Sequence, residues 1–345
     1  MFLTEANVLH YLVERQFGQL ETALTGRFVV RSLTRRNLNL HIAWGAREYL
    51  VKQAKDWDVG ARTSVEREAA FYRLRETSEP LALLLPRCYA YDPPNSVLVL
   101  EFLSGHTDLF DAPDRLAPEL GRLCGEVMGT FHREMESGGM ASAFPGSVPW
   151  YLSFHETEEE DLAESSAGQR ELVRVVKRYA GFARGLERLR AEWRDDTLTH
   201  GDWKLDNCLV SPDRNRLRVV DWEFVSWGDS IWDVSALLQS YWNFWVRWPS
   251  EYPIEAIQPT LRAFLHAYAQ SRGWEPGELA ARAVRFAAAR MLQAAFETLD
   301  KVEEMTAVAV RLMQGSLNVF TRPDWAAEQL IGTPLRKMSA TCIGS

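Results

Sequence analysis

Between Asn37 and Trp44, Leu38, Leu40, Ile42 and Trp44 alternate with Asn37, Asn39, His41 and Ala43. A period of two sets one apolar face against a core and one polar face outward, which is the pattern of a half-buried strand. Phe28–Leu33 before it and Glu48–Gln53 after it also read as strands, and the links between them are short. The three are expected to form an antiparallel meander. A helix over Ser64–Glu76 and two further strands, Arg87–Tyr91 and Ser96–Glu101, follow, the strands joined by the turn Asp92-Pro93-Pro94-Asn95. Ahead of the strands, Leu3, Val8, Leu12 and Phe17 recur at helical spacing within residues 3–20.

From about residue 113 the period lengthens and the chain reads as mainly helical, Leu116–Glu134 being the clearest segment. One stretch interrupts it. Asn207–Val210 and Leu217–Asp221 are short apolar runs around the turn Ser211-Pro212-Asp213-Arg214-Asn215, and read as a hairpin. The expected class is therefore α+β, with an N-terminal antiparallel sheet carrying one helix and a larger, mainly helical C-terminal part. The boundaries read from the pattern are a helical extension over 1–24, a sheet-rich lobe over 25–104, a helical lobe over 105–335 and a flexible tail over 336–345.

The 345 residues suffice for two lobes, and 46% apolar with 25% charged residues is the composition of a globular protein with an ample core. A net charge of −8 argues against a grip on nucleic acid or on an anionic membrane surface. The four cysteines, Cys88, Cys124, Cys208 and Cys342, lie far apart with no metal-ligand spacing, and no run is long and apolar enough for a signal peptide or a membrane span. The expected location is the cytoplasm.

The stretch that carries chemistry is His200-Gly201-Asp202-Trp203-Lys204-Leu205-Asp206-Asn207, followed fourteen positions after Asn207 by Asp221 in Val219-Val220-Asp221-Trp222-Glu223. Phosphoryl transfer asks a protein mostly to position groups and neutralise charge. One carboxylate must meet the acceptor hydroxyl, while another, with an amide oxygen, holds Mg²⁺ against the phosphates. A loop bracketed by Asp202 and Asn207 and closed by a hairpin ending at Asp221 can present all three, and hard Mg²⁺ prefers such oxygen ligands. A lone loop aspartate is usually a turn residue or a cap, but this set at this spacing is not.

HGDxxxxN followed by two apolar residues and an aspartate resembles the aminoglycoside phosphotransferase / choline kinase superfamily, which has the protein-kinase-like fold. The resemblance covers about residues 25–300 and is strongest in the C-terminal part. It implies a bilobal enzyme using ATP and Mg²⁺, with Asp202 as catalytic base, His200 as organiser of the loop, and Asn207 and Asp221 as metal ligands; Lys204, in the same loop, is a further candidate catalytic residue. Gly228-Asp229 and Asp233 in WGDSIWD match the family element GDxxxD, which supports the catalytic loop from behind; read alone, the two aspartates are equally helix caps. His132 in GTFHRE resembles a helix-ending LH of the family and reads as a packing or capping group rather than a catalytic one.

In the sheet-rich lobe this fold needs a lysine on its third strand, paired with a helix glutamate. Lys52 fits the strand, whereas Lys55 lies in the polar run beyond it. Of the two candidate partners, Glu68 shares the apolar stripe of Val65, Ala69 and Tyr72, while Glu66 points elsewhere, so Glu68 is chosen for Lys52. Val97–Gly105 resembles the family's hinge, where adenine would meet backbone groups near Glu101 and Leu103. The turn Ser32-Leu33-Thr34-Arg35-Arg36-Asn37, which should cover the phosphates, has no glycine; Arg35 and Arg36 are either phosphate contacts or a solvated hairpin tip.

The acceptor is less determined. Trp222, Trp227, Trp232, Tyr241, Trp242, Phe244, Trp245 and Trp248 cluster after Asp221, and are either core or an aromatic acceptor wall. The acidic run Glu156–Glu164 reads as a solvated face, and would favour a polycationic acceptor if it covered the cleft. HGDWKLDNCLV with VVDWEFVSWGDSIWDVSALL more narrowly resembles the phosphotransferases of class V lanthipeptide and thioamide-peptide biosynthesis. That likeness implies Ser/Thr of a leader-bearing precursor peptide as acceptor and a separate lyase as partner. A small-molecule hydroxyl kinase and a non-catalytic pseudokinase are the alternatives.

Overall fold

The computed structural model describes residues 1–24, 28–33, 37–54, 59–136, 139–158 and 160–332. The chain divides into two compact units, the first made of Met1–Asp108 with Asn207–Val225, the second of Leu109–Asp206 with the chain from Ser226 onward.

In the first unit, α1 (Val8–Glu14) and α2 (Leu20–Thr22) precede β1 (Phe28–Ser32), β2 (Leu38–Trp44) and β3 (Arg47–Gln53), the expected meander. Then come α3 (Val59–Tyr72), α4 (Glu79–Leu84), β4 (Cys88–Asp92) and β5 (Val97–Glu101), completing an antiparallel sheet of order β1-β2-β3-β5-β4. Alternation does what the pattern predicts. Leu40, Ile42 and Trp44 join Tyr49, Val51, Val97 and Val99 in a core with Leu3, Val8, Tyr11 and Leu12 of the N-terminal segment. Gln53, fully buried, ties that segment down: its carboxamide accepts from Leu3 N (2.8 Å) and donates to the Met1 (2.9 Å) and Asn95 (3.0 Å) carbonyls.

Three local expectations shift. The N-terminal helix is shorter than 3–20 because the chain turns at Gln16, whose φ is 64°. The helix expected over Ser64–Glu76 ends at Tyr72, and Arg73–Thr77 tightens into a 3₁₀ turn. The helix α4 was not expected, although Ser78, whose Oγ accepts from Leu81 N at 3.3 Å, and Pro80 in its first turn are ordinary start signals.

After β6 (Thr107–Asp108) the chain enters the second unit through α5 (Pro118–Glu134), α6 (Gly139–Ala143), α7 (Ala167–Arg178), α8 (Ala180–Glu192) and β7 (Thr197–Thr199). It returns to the first unit for β8 (Cys208–Val210) and β9 (Leu217–Val219), which form a three-stranded sheet β6-β8-β9. The hairpin that the sequence reading set within residues 105–335 of the helical lobe therefore packs in the sheet-rich unit. Trp222 stacks on Phe71 of α3 at 4.3 Å between ring centroids, and Arg218 donates to the Ala82 and Leu85 carbonyls at 2.8 Å each.

The chain re-enters the second unit at β10 (Ser226–Gly228), paired with β7, and continues as α9 (Ser230–Arg247), α10 (Ile254–Arg272), α11 (Pro276–Glu297), α12 (Ala307–Thr321) and α13 (Pro323–Ile331). Gly121, Gly125 and Gly129 recur every four residues along α5, and a Cβ on any of them would strike Thr260, Phe264 or Ser271 of α10. The bare stripe lets the two helices approach closely. On α9, Trp232, Tyr241, Trp242 and Phe244 are buried, so most of the aromatic cluster is core. Among the described residues no helix is long and apolar enough to cross a membrane.

Candidate active site

In the first unit the strand period turns Lys52 away from Val51 and its apolar core, toward α3. Its ammonium lies 2.7 Å from Glu68 Oε2, 2.5 Å from Asp221 Oδ1 and 3.7 Å from Glu223 Oε2. The pairing chosen from the helical stripe, Glu68 rather than Glu66, is the one formed. Burial opposes the charge on Lys52, but Glu68, Asp221 and Glu223 together outweigh it and raise its pKa. Burial, offset only in part by Lys52, pushes the Glu68 carboxyl up to about 7. Three carboxylates around one ammonium leave this pocket with an excess of negative charge, which a bound cation would relieve.

The hairpin register opposes Cys208 to Val219, and Val220 N donates to the Asn207 carbonyl at 3.0 Å. Asp221 is thus one residue beyond the position opposite Asn207. It stands just past β9 in the left-handed region, φ 66° and ψ 54°, a conformation aspartate tolerates better than most residues. The pair offers a carboxylate and a carboxamide, which suits a hard divalent cation that keeps water and phosphate in the rest of its shell. Among the described residues no group of three or more His, Cys, Asp or Glu side chains could hold a metal ion, so a soft-ligand site is not built here.

Glu223 is a residue the sequence reading passed over. Its carboxylate accepts from Asn37 Nδ2 at 2.9 Å and Ser64 Oγ at 3.4 Å as well as facing Lys52. The available signal was a second carboxylate two positions after Asp221 inside an apolar run. Glu101 ends β5, where its side chain accepts from Arg87 N at 3.0 Å, and the Leu103 carbonyl accepts from His106 N at 3.2 Å. Of the glycine-free turn, Thr34, Arg35 and Arg36 lie outside the described residues, as do the alternative lysine Lys55 and the tail over 336–345.

The second unit holds the loop from His200 to Asp206. Asp233, fully buried, accepts from His200 N at 2.7 Å and Gly201 N at 2.9 Å, and its Oδ2 lies 3.2 Å from His132 Nε2. Burial alone would push this carboxyl up, but the His132 contact, helped by His200, holds it below its ordinary value. Gly201 sits at φ 82°, where a side chain would be strained. His200 Nδ1 accepts from Asp202 N at 3.2 Å, so the buried ring braces the loop from inside. Asp229 caps α9 through Ile231 N (3.0 Å), accepts from Arg194 N (2.9 Å) and pairs with Arg282. Both roles weighed for these aspartates thus occur: Asp229 is a cap, and Asp233 carries the loop.

Asp202 Oδ2 lies 2.7 Å from the Lys204 ammonium. Burial opposes charge on Lys204, but Asp202 outweighs it and raises the lysine's pKa. Both line a cavity of about 270 Å³ with Asp206, Gln239, Ser240, Asn243 and Arg290. Arg290 is a second residue the sequence reading missed. Its guanidinium stacks 3.7 Å from the Trp232 ring centroid and donates to the Gly201 (2.9 Å) and Trp232 (3.1 Å) carbonyls. Burial pulls its pKa down to about 10 against the pull of Asp202. An arginine inside the otherwise apolar run Phe286–Leu292 of α11 was the signal. The aromatic acceptor wall is not built: of the cluster after Asp221, Trp248 alone lines this cavity, whose lining mixes apolar residues with side chains of both signs of charge. The described residues of the acidic run do not line it either; Glu156 pairs with Arg190 at 2.6 Å and Glu158 lies 3.7 Å from Lys177.

Residues 30–282 match the family model for the phosphotransferase enzyme family (APH), nearly three-quarters of the chain. The chain belongs to that family. No curated protein matches it. Among solved structures it is similar to an ethanolamine kinase from Plasmodium vivax, at 12% identity and a TM-score of 0.62, covering 94% of this chain and 90% of that one. A choline/ethanolamine kinase family protein from Mesorhizobium loti gives 18% identity and 0.56, covering 88% and 93%. The amicoumacin kinase hAmiN, solved with AMP-PNP, Ca²⁺ and Ami, gives 15% and 0.55, covering 94% and 97%. These likenesses establish the kinase-like α+β fold; the family makes the chain a phosphotransferase.

Proposed function

We propose that this phosphotransferase moves the γ-phosphoryl group of ATP to an alcohol, with Mg²⁺ as the divalent ion. The observation that carries the reading is the buried Lys52, held between Glu68 and Asp221 and so kept cationic and aimed. It would bind the phosphates, while adenine would meet backbone near Glu101 and Leu103. Asn207 and Asp221 would hold the ion, which when bound neutralises charge on the phosphates. In the second unit Asp202 would orient the acceptor hydroxyl and take its proton as the oxygen bonds to phosphorus and ADP leaves. Lys204, beside Asp202, keeps that carboxylate paired, and His200 keeps its backbone in place.

The preferred acceptor is Ser/Thr of a leader-bearing precursor peptide, phosphorylated ahead of elimination by a separate lyase. Support comes from the narrow resemblance of the loop and hairpin segments. A small hydroxylated molecule is the second reading, favoured by the modest cavity volume of about 270 Å³. A pseudokinase is disfavoured because the charged set around Lys52 and the braced Asp202 loop are both complete. The test is mass spectrometry of the protein with Mg·ATP and a panel of precursor peptides, aminoglycosides and choline. Phosphate on peptide Ser/Thr supports the first reading, and phosphate on a small alcohol the second. No phosphorylated product from any acceptor rejects the proposed transfer.

A further inference from the structure

Of the three carboxamides on the wall of the Asp202 cavity, Gln239 and Asn243 lie one turn apart on α9 and the third, Gln293, is on α11. Gln239 is 8% exposed and follows Leu238, while Asn243 lies between Trp242 and Phe244. Gln239 Nε2 and Asn243 Oδ1 are shielded from solvent and have no hydrogen-bond partner among the described residues. Other polar groups on the same cavity are engaged: Ser240 Oγ accepts from Leu205 N at 3.2 Å, Arg290 Nη1 donates to Gln293 at 2.8 Å, and Lys204 is paired with Asp202 at 2.7 Å. A donor and an acceptor left unsatisfied in a protein interior cost stability, so they call for a ligand that completes them.

We infer that Gln239 and Asn243 form an amide-reading edge of the acceptor site, so that the acceptor hydroxyl sits next to a secondary amide. The inference rests on the phosphotransfer reading and adds the side chains that select the acceptor. Side chains one helical turn apart lie about 5–6 Å apart at Cβ, a span that one amide group bridges with its two ends. Turned from their solvent-shielded positions into the cavity, the two carboxamides read one amide: the ligand carbonyl accepts from Gln239 Nε2, and its N–H donates to Asn243 Oδ1. An amide is neutral, which matches a pair with no charge of its own beside groups already paired. N-acylated serine or threonine amides have this arrangement. A site of this kind rejects analogues that lack one partner, because its own buried group is then left unpaired.

The test compares 3-hydroxy-N-methylpropanamide with methyl 3-hydroxypropanoate, which keeps the carbonyl and loses the one N–H, and with glycerol. ADP formation is followed at saturating Mg·ATP with the full-length protein. The wild type is expected to favour the amide over the ester by about tenfold in kcat/KM, the cost of one unmade hydrogen bond. Asn243→Leu should erase that preference, and Gln239→Met should lower kcat/KM for both probes about tenfold while leaving the KM for ATP unchanged. Equal use of amide and ester by the wild type, no use of either, glycerol matching the amide, or a preference that survives in Asn243→Leu would each overturn the inference. The wild-type comparison needs no variant to fold. A Mg·ATP thermal shift, lost in Lys52→Ala, tests the phosphotransfer reading separately. If the shift is present and the amide preference absent, the inference alone fails; if the shift is absent, both fail.

Discussion

Replacing Asp233 by Asn should cripple the loop, although the new side chain is nearly the same size. The carboxylate accepts two loop N–H groups, from His200 at 2.7 Å and Gly201 at 2.9 Å, and faces His132 at 3.2 Å. A carboxamide keeps one acceptor oxygen and turns an NH₂ toward the other donor. One charge-assisted bond is lost, at about 1.5–3 kcal/mol, and one buried donor is left unsatisfied, at about 1–3 kcal/mol. The loss should therefore be about 3–5 kcal/mol, read as a lower urea midpoint by far-UV circular dichroism. The loop that carries Asp202 loses its anchor as well, and a misplacement of about 1 Å costs about 100-fold in turnover. The KM for ATP should stay within about threefold, since Lys52 and its partners belong to the other unit. A variant that loses less than about 1 kcal/mol and keeps its kcat would refute the anchoring role of Asp233.

Other predictions follow from the same geometry. The Glu68 carboxyl is raised from 4.5 to about 7 in the folded protein, so between those values the native state binds more protons than the unfolded one. Stability should then fall as pH rises through that window, and Glu68→Gln should flatten the slope of urea midpoint against pH there. Arg290→Met removes the grip on the Gly201 carbonyl; kcat should fall at least about tenfold with the Mg·ATP thermal shift unchanged. Gly125→Ala forces α5 and α10 apart at Phe264 and should cost about 1–3 kcal/mol, a drop of several degrees in Tm by differential scanning fluorimetry.

What the sequence made legible was local periodicity and one dense motif. The alternation through Leu38–Trp44 led directly to the meander, and the stripe of Val65, Glu68, Ala69 and Tyr72 was enough to choose the partner of Lys52, because a buried carboxylate must be paired. Partners remote in sequence were harder to read. The packing of Trp222 on Phe71 that draws the hairpin into the sheet-rich unit links residues about 150 apart, and no local pattern encodes it. Arg290, Gln239 and Asn243 each lie in an apolar helix, where helical period alone marks them as interruptions and cannot say that they line one cavity. Glu223 was hidden by its neighbour: once Asp221 was assigned, a second acid two residues on had no role that sequence could supply. The α4 helix has six residues, too few for a helical period to show, so the Ser78 cap and Pro80 are its only marks in the sequence.

The central claim, phosphoryl transfer to a hydroxyl poised on Asp202, is tested most directly by single-turnover transfer from Mg·ATP in wild type and Asp202→Asn, with Mg·ATP affinity measured on the same samples. The account predicts that affinity stays within about threefold and transfer falls by at least about 100-fold. An Asp202→Asn protein that phosphorylates its acceptor at the wild-type rate would contradict it.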